Sequence, residues 1–225
     1  MPMSNPTFGL ISEGPTDQRV LKNILIGFFN DPDLTVRPLQ PLLDATDAAQ
    51  RQGGWTQVLA YCRSSRLPAA FDQNEYLVIQ IDTDRLNEKP FNLDLSQSVE
   101  TIVYQVVEKF VTTMQEAFGS DFLTNYQPRL LFAVAVNQIE CWLLPLFYKD
   151  KTAAATQNCL YKINQYLGKK KEQPINPDNK NASPKYYDQL TRPFLRPKML
   201  FPAAEKNASF KIFIEKLRTQ FSEGH

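Results

Sequence analysis

The chain has 225 residues, with 25 Lys+Arg against 24 Asp+Glu and a formal net charge of +1. Hydrophobic residues make up 43% and charged residues 22%, enough for a full core, and 15 Phe with 9 Tyr exclude an intrinsically disordered chain. No apolar run approaches the roughly 20 residues that a membrane span requires, so no membrane partner is expected.

The first predicted element is a short strand over residues 7–12, TFGLIS, ending at Glu13-Gly14-Pro15-Thr16-Asp17. Pro15 suits the first turn of a helix, and Asp17 lies where the helix dipole favours negative charge. That helix runs to about Phe29 with Val20, Leu21, Ile24, Leu25 and Phe28 on one face, and Asn30-Asp31-Pro32-Asp33 stops it. A weaker strand is expected over 34–39. Gly53-Gly54 precedes a helix from Trp55 to about Ser65. Tyr76-Leu77-Val78-Ile79-Gln80-Ile81 is the clearest strand, nearly all apolar as in a sheet covered on both faces, and it ends at Asp82-Thr83-Asp84. Val99, Ile102, Val103, Val106, Val107, Phe110 and Met114 define a helix over 97–118, closed by Gly119. A further buried strand over 129–136 leads into Asn137-Gln138-Ile139-Glu140-Cys141-Trp142, where Trp142 reads as core.

Strands alternating with helices predict an α/β fold, a mostly parallel central sheet flanked by helices, over residues 1–150. From 151 the pattern changes. Lys169-Lys170-Lys171 and a Pro/Asn-rich stretch, 173–184, read as loop, and Phe210, Phe213, Ile214, Leu217 and Phe221 mark a final helix. Charge divides at the same place: eleven Lys+Arg against eighteen Asp+Glu before it, a balance of −7, and fourteen against six after it, a balance of +8. The expectation is a metal-binding domain over 1–150 with a basic, helical and loop-rich extension over 151–225 packed on it.

The N-terminal sequence lacks the basic start and apolar stretch of a signal peptide, and a cytoplasmic location is expected. Cys62, Cys141 and Cys159, an odd number at wide spacing, predict free thiols in a reducing compartment. With one histidine, terminal His225, and no Cys-x-x-Cys pair, neither a zinc site nor a histidine-based triad is expected.

The chemistry lies in carboxylates at strand ends. In open α/β sheets ligands bind beyond the carboxyl ends of the strands. Glu13, the pair Asp82 and Asp84, and Glu140 follow three different strands; if those strands are parallel neighbours, four acids converge. Oxygen-only donors select Mg²⁺ or Mn²⁺. If strand geometry persists through Asp-x-Asp, both side chains point the same way. Taken alone, each acid also fits a bland reading: loop aspartates, a turn glutamate, a salt-bridge partner.

The order Glu13-Gly14-x-x-Asp17, then Ile81-Asp82-Thr83-Asp84, resembles the Toprim domain of topoisomerases, primases and overcoming-lysogenization-defect nucleases. Glu13-Gly14-Pro15-Thr16-Asp17, Ile139-Glu140-Cys141-Trp142-Leu143-Leu144, Lys185-Tyr186-Tyr187-Asp188 and Ser209-Phe210-Lys211-Ile212-Phe213 more narrowly resemble the Toprim-like domain of unknown function 4276. The resemblance implies Glu13 as acid/base residue and metal ligand, Asp82 and Asp84 as Mg²⁺ ligands, and a catalytic role for Glu140. Where the narrower family carries an acid soon after Glu-x-Trp-Leu-Leu, this chain has Pro145-Leu146-Phe147. The family setting implies an ATPase partner of the AAA or ABC type in bacterial anti-phage systems.

Lys169, Lys170, Lys171 and Lys185, with Lys162, Lys180, Arg192, Arg196 and Lys198, form a basic region interleaved with Tyr161, Tyr166, Tyr186 and Tyr187. Lysines neutralise phosphates and aromatic rings stack on bases, while the bland alternative is a solvated surface. The expected function is Mg²⁺-dependent phosphodiester hydrolysis of DNA or RNA. Two alternatives stand beside it: a non-catalytic nucleotide- or partner-binding module of the same fold, and a sugar-nucleotide transferase using Asp-x-Asp. A homo-oligomer is left open.

Overall fold

A computed structural model describes residues 6–42, 53–89, 91–177 and 184–221. Four strands form one sheet in the order β2-β1-β3-β4, every neighbouring pair parallel: β1 Phe8–Ile11, β2 Val36–Gln40, β3 Tyr76–Asp82 and β4 Leu130–Ala135. Among the described residues the helices are α1 Pro15–Phe29, α2 Trp55–Arg63, α3 Arg66–Ala70, α4 Val99–Phe118, α5 Ser120–Tyr126, α6 Glu140–Phe147, α7 Cys159–Lys169, α8 Pro184–Thr191, α9 Pro197–Ala204 and α10 Ala208–Phe221. None is long and apolar enough to cross a membrane.

The strand alternation assigns the two faces. On one face Phe8, Leu10, Val78, Leu131, Ala133 and Ala135 join a core with α1, α6 and the helices from α7 to α10. On the other face Ile11, Leu77, Ile79, Ile81, Leu130 and Val134 join a core with residues of α2 to α5. The α1 crossover leads from β1 outward to β2, whereas the α2–α3 crossover leads back past β1 to β3. Crossovers of one hand running in opposite directions place their helices on opposite faces, as seen here.

Local sequence explains the main elements. Pro15 opens α1, Asn30 closes it in the left-handed conformation (φ 51°), and Gly119 ends α4 at φ 82°. Ser98 caps α4, its side chain accepting the Thr101 N–H.

The C-terminal residues join the first core, although the sequence pattern breaks at 151. Phe221 meets Phe8, Phe29 and Tyr76 at 6.0, 5.0 and 4.8 Å between ring centroids. Three expectations change. Lys169, read as loop with Lys170 and Lys171, is the last residue of helix α7. Pro184, taken as the end of a loop, opens α8, while 178–183, with Lys180, lie outside the described residues. The cysteines are not all free: Cys141 and Cys159 form a disulfide joining α6 to α7, and Cys62 alone is a buried thiol. The 18-residue separation reads as wide along the chain, but the first turns of α6 and α7 meet and close it to 5.0 Å between Cα atoms. Free thiols therefore no longer support a reducing compartment.

Candidate active site

The strand order reverses between β1 and β3, since β1 leads to β2 on one side and β3 leads to β4 on the other. At such a switch point the loops beyond the carboxyl ends separate and leave a crevice. Glu13 follows β1 and Asp82 ends β3, so adjacent parallel pairing brings them together despite 69 residues between them.

Four hydrogen bonds fix their arrangement. The Asp82 backbone N–H donates to Glu13 Oε1 at 2.7 Å, and the Glu13 N–H donates to Gln80 Oε1 at 3.1 Å. Gln80 Nε2 in turn donates to Asp82 Oδ1 at 2.8 Å, and the Ile139 N–H donates to the same oxygen at 3.0 Å. Gln80 is wholly buried, and its amide orients both acids. The sequence carried a signal for it: a glutamine inside an otherwise apolar strand.

Asp84 is placed differently. Strand geometry ends at Asp82, because the Thr83 N–H turns to the carbonyls of Ala135 and Asn137 while Thr83 Oγ1 accepts the Asn137 N–H. Asp84 is thus exposed and accepts from Gln138 Nε2 at 2.8 Å, whereas Asp82 is buried.

Glu140 and Asp17 lie in the first turns of α6 and α1, and both are buried. Tyr187, from α8, donates its hydroxyl to Glu140 Oε1 at 2.6 Å. Burial pushes the Tyr187 phenol far above its ordinary range, and the charges of Glu140, then Asp17 and Asp82, push it the same way. Tyr187 therefore stands among three of the acids. Read from sequence as one of the rings interleaved with lysines, it is instead fully buried and unable to stack on a base.

The Gly53-Gly54 turn closes the site from the other side of Glu13. The Gly54 N–H donates to the Glu13 carbonyl at 2.7 Å, and a Cβ at Gly53 would stand 2.1 Å from that oxygen. Only glycine permits this approach. Trp142 is core, stacked on Phe210 at 4.8 Å with its indole N–H on Ser209 Oγ.

The basic residues lie apart from the acids. Lys169, Lys170 and Lys171 are exposed at the far end of α7, about 15 Å along its axis from Cys159. Lys185 is exposed, two residues before Tyr187 on α8, so the two side chains leave the helix on opposite sides.

Fold and site together define a parallel α/β protein with acids gathered at its switch point. No family model, curated protein or solved structure matches this chain.

Proposed function

We propose that the chain is a divalent-cation-dependent phosphodiesterase acting on nucleic acid, as the Toprim resemblance implies. The observation that carries this reading is Glu13 and Asp82, from adjacent strands, held side by side at the switch point by one buried amide. The donor chemistry fits Mg²⁺ or Mn²⁺, since the acids supply oxygen alone. Among the described residues no three His, Cys, Asp or Glu side chains form a ready-made metal group. A cation there would be held by Asp82 and Glu13 alone, with water and substrate oxygens supplying the rest. Exposed Asp84 would stand at the rim.

When bound, the cation neutralises charge developing on the phosphoryl group. Glu13 accepts the proton of the attacking water. Gln80 and the Ile139 N–H keep the Asp82 carboxylate in one direction, so its orientation does not depend on substrate. Glu140, held by Tyr187, adds negative charge behind the site. Lys169, Lys170, Lys171 and Lys185 would engage the phosphates of a strand outside it, and an ATPase partner would supply the setting.

A second reading has its own observation. Asp82 and Glu140 are buried and hydrogen-bonded within the protein, as structural carboxylates are. On that reading the module binds a nucleotide or partner and cleaves nothing. Cleavage of labelled DNA and RNA with Mg²⁺ or Mn²⁺ separates the two, comparing wild type with Glu13→Ala and Asp82→Asn. Loss of at least a hundredfold in both variants is expected; equal activity in all three proteins sinks the enzymatic reading.

A further inference from the structure

A second concave site lies away from the acids. Helix α6 begins at buried Glu140, and at its other end, about 10 Å along the axis, it packs beside α9. Between them is a cleft of about 250 Å³. Met199, Pro202 and Ala203, at i, i+3 and i+4, share the face of α9 that lines it, and Lys206 follows in the turn after the helix. Leu146, Tyr148 and Lys149 line the opposite wall, and Lys198 stands at the mouth.

Charge in this cleft is one-sided. Lys149, Lys198 and Lys206 border it, all exposed, and among the described residues no Asp or Glu lines it. The two acids nearest in sequence are engaged elsewhere. Glu205 holds Lys211 at 2.8 Å and Arg218 at 4.0 Å, while Asp150 caps the 3₁₀ turn Lys151–Ala154 through the Thr152 N–H. Lys149 points back to the Pro145 carbonyl at 3.5 Å, where the C-terminal dipole of α6 suits it. Lys198 has no such support, because it sits in the first turn of α9, where the helix dipole disfavours a cation. An anion in the cleft would relieve that repulsion.

We propose that this cleft binds a nucleotide without a metal, its phosphates on Lys198 and Lys206 and its base against Tyr148, Leu146 and Met199. The apolar wall argues against a bare inorganic anion, which keeps its hydration and gains nothing from it. The volume, just under that of ordinary small-molecule sites, admits at most one nucleotide and no folded partner. The shared chemistry is a phosphate beside a planar base, available from a free nucleotide or from the end of a strand.

Calorimetric titration in EDTA, which removes any cation-dependent binding at the acids, tests the assignment. ATP is expected to bind one-to-one, at least tenfold more tightly than pyrophosphate. Lys198→Ala and Lys206→Ala, both at exposed positions, are each expected to weaken ATP about tenfold, the loss of one charge-assisted hydrogen bond. A 5′-phosphorylated trinucleotide that displaces ATP identifies a strand end as the source; one that does not leaves the free nucleotide. Absence of saturable ATP binding, equal affinity for ATP and pyrophosphate, or indifference to both lysine substitutions would overturn the proposal.

Discussion

Gln80 shows how much one buried amide can organise. Its oxygen takes the Glu13 N–H and its nitrogen serves Asp82 Oδ1, so both acids depend on it. Gln80→Met keeps the volume and removes both bonds. About 2 kcal/mol of stability should be lost in urea unfolding, because a buried N–H and a buried carboxylate oxygen each lose a partner. If the acids hold a cation as proposed, the thermal shift from Mn²⁺ should shrink as well, which simple destabilisation would not cause. Tyr61 supplies a pH-dependent counterpart in the opposite layer. Burial raises its phenol from 10.0 to about 12, against a lowering by Arg66 and with a smaller raise from Cys62. Both states hold the phenol proton below pH 10. Above it the unfolded chain ionises first, so the Tyr61 contribution is lost as pH rises from 10 towards 12. Over that window wild type should lose about 2 kcal/mol more than Tyr61→Phe, read from urea midpoints at each pH. Equal slopes would place Tyr61 in water.

Elements differ in how well their sequences announce them. β1, α1, β3, α4 and β4 were legible to within a residue or two, because each is a run with one pattern bounded by turn or cap residues. The acids at their ends were legible for the same reason, but their pairing needed the strand order. After residue 150 only α10 was legible, from its apolar face; α7, α8 and α9 were not. α9 reads PKMLFPAA, with two prolines inside eight residues, and α7 buries only Cys159, Ile163 and Leu167. Such helices are held by what they pack on, which no local pattern shows. The Tyr187–Glu140 hydrogen bond and the Cys141–Cys159 disulfide depend on that packing too. Gly27 measures how close it is. A Cβ there would stand 1.8 Å from the Phe194 carbonyl oxygen, so α1 lies directly against the 3₁₀ turn Arg192–Leu195. Backbone cannot move aside as a flexible side chain can. Gly27→Ala should therefore destabilise by about 2–3 kcal/mol in thermal or urea unfolding, although alanine is the better helix former. A neutral or stabilising result would show that the turn does not rest on α1.

At the scale of the whole molecule, the division of charge at residue 150 does not coincide with a division of the core. The balance is −7 before it and +8 after it, yet α8 to α10 share one hydrophobic cluster with α1, β1 and β4. The two tryptophans report on this directly, one in each layer. Trp55 meets Phe91 at 5.8 Å on the face covered by α2 and α4, whereas Trp142 stacks between Phe210 and Phe213 of α10. Trp55→Phe leaves fluorescence from the layer that holds the C-terminal helices, and Trp142→Phe leaves it from the other. If residues 151–225 were a separate unit laid on a finished domain, Trp142 would lose α10 before the sheet melts. Fluorescence in Trp55→Phe would then fall at lower urea than circular dichroism. A core shared across the sheet predicts coincident midpoints by both probes within each variant, even though Trp142→Phe shifts its own midpoint through the lost ring area and the lost hydrogen bond to Ser209. The same cooperativity bears on the site, because Tyr187 reaches Glu140 from the C-terminal part. Unfolding that part first would release the hydroxyl from the acids, and a truncated chain ending at 150 should accordingly show neither a cooperative transition nor cleavage.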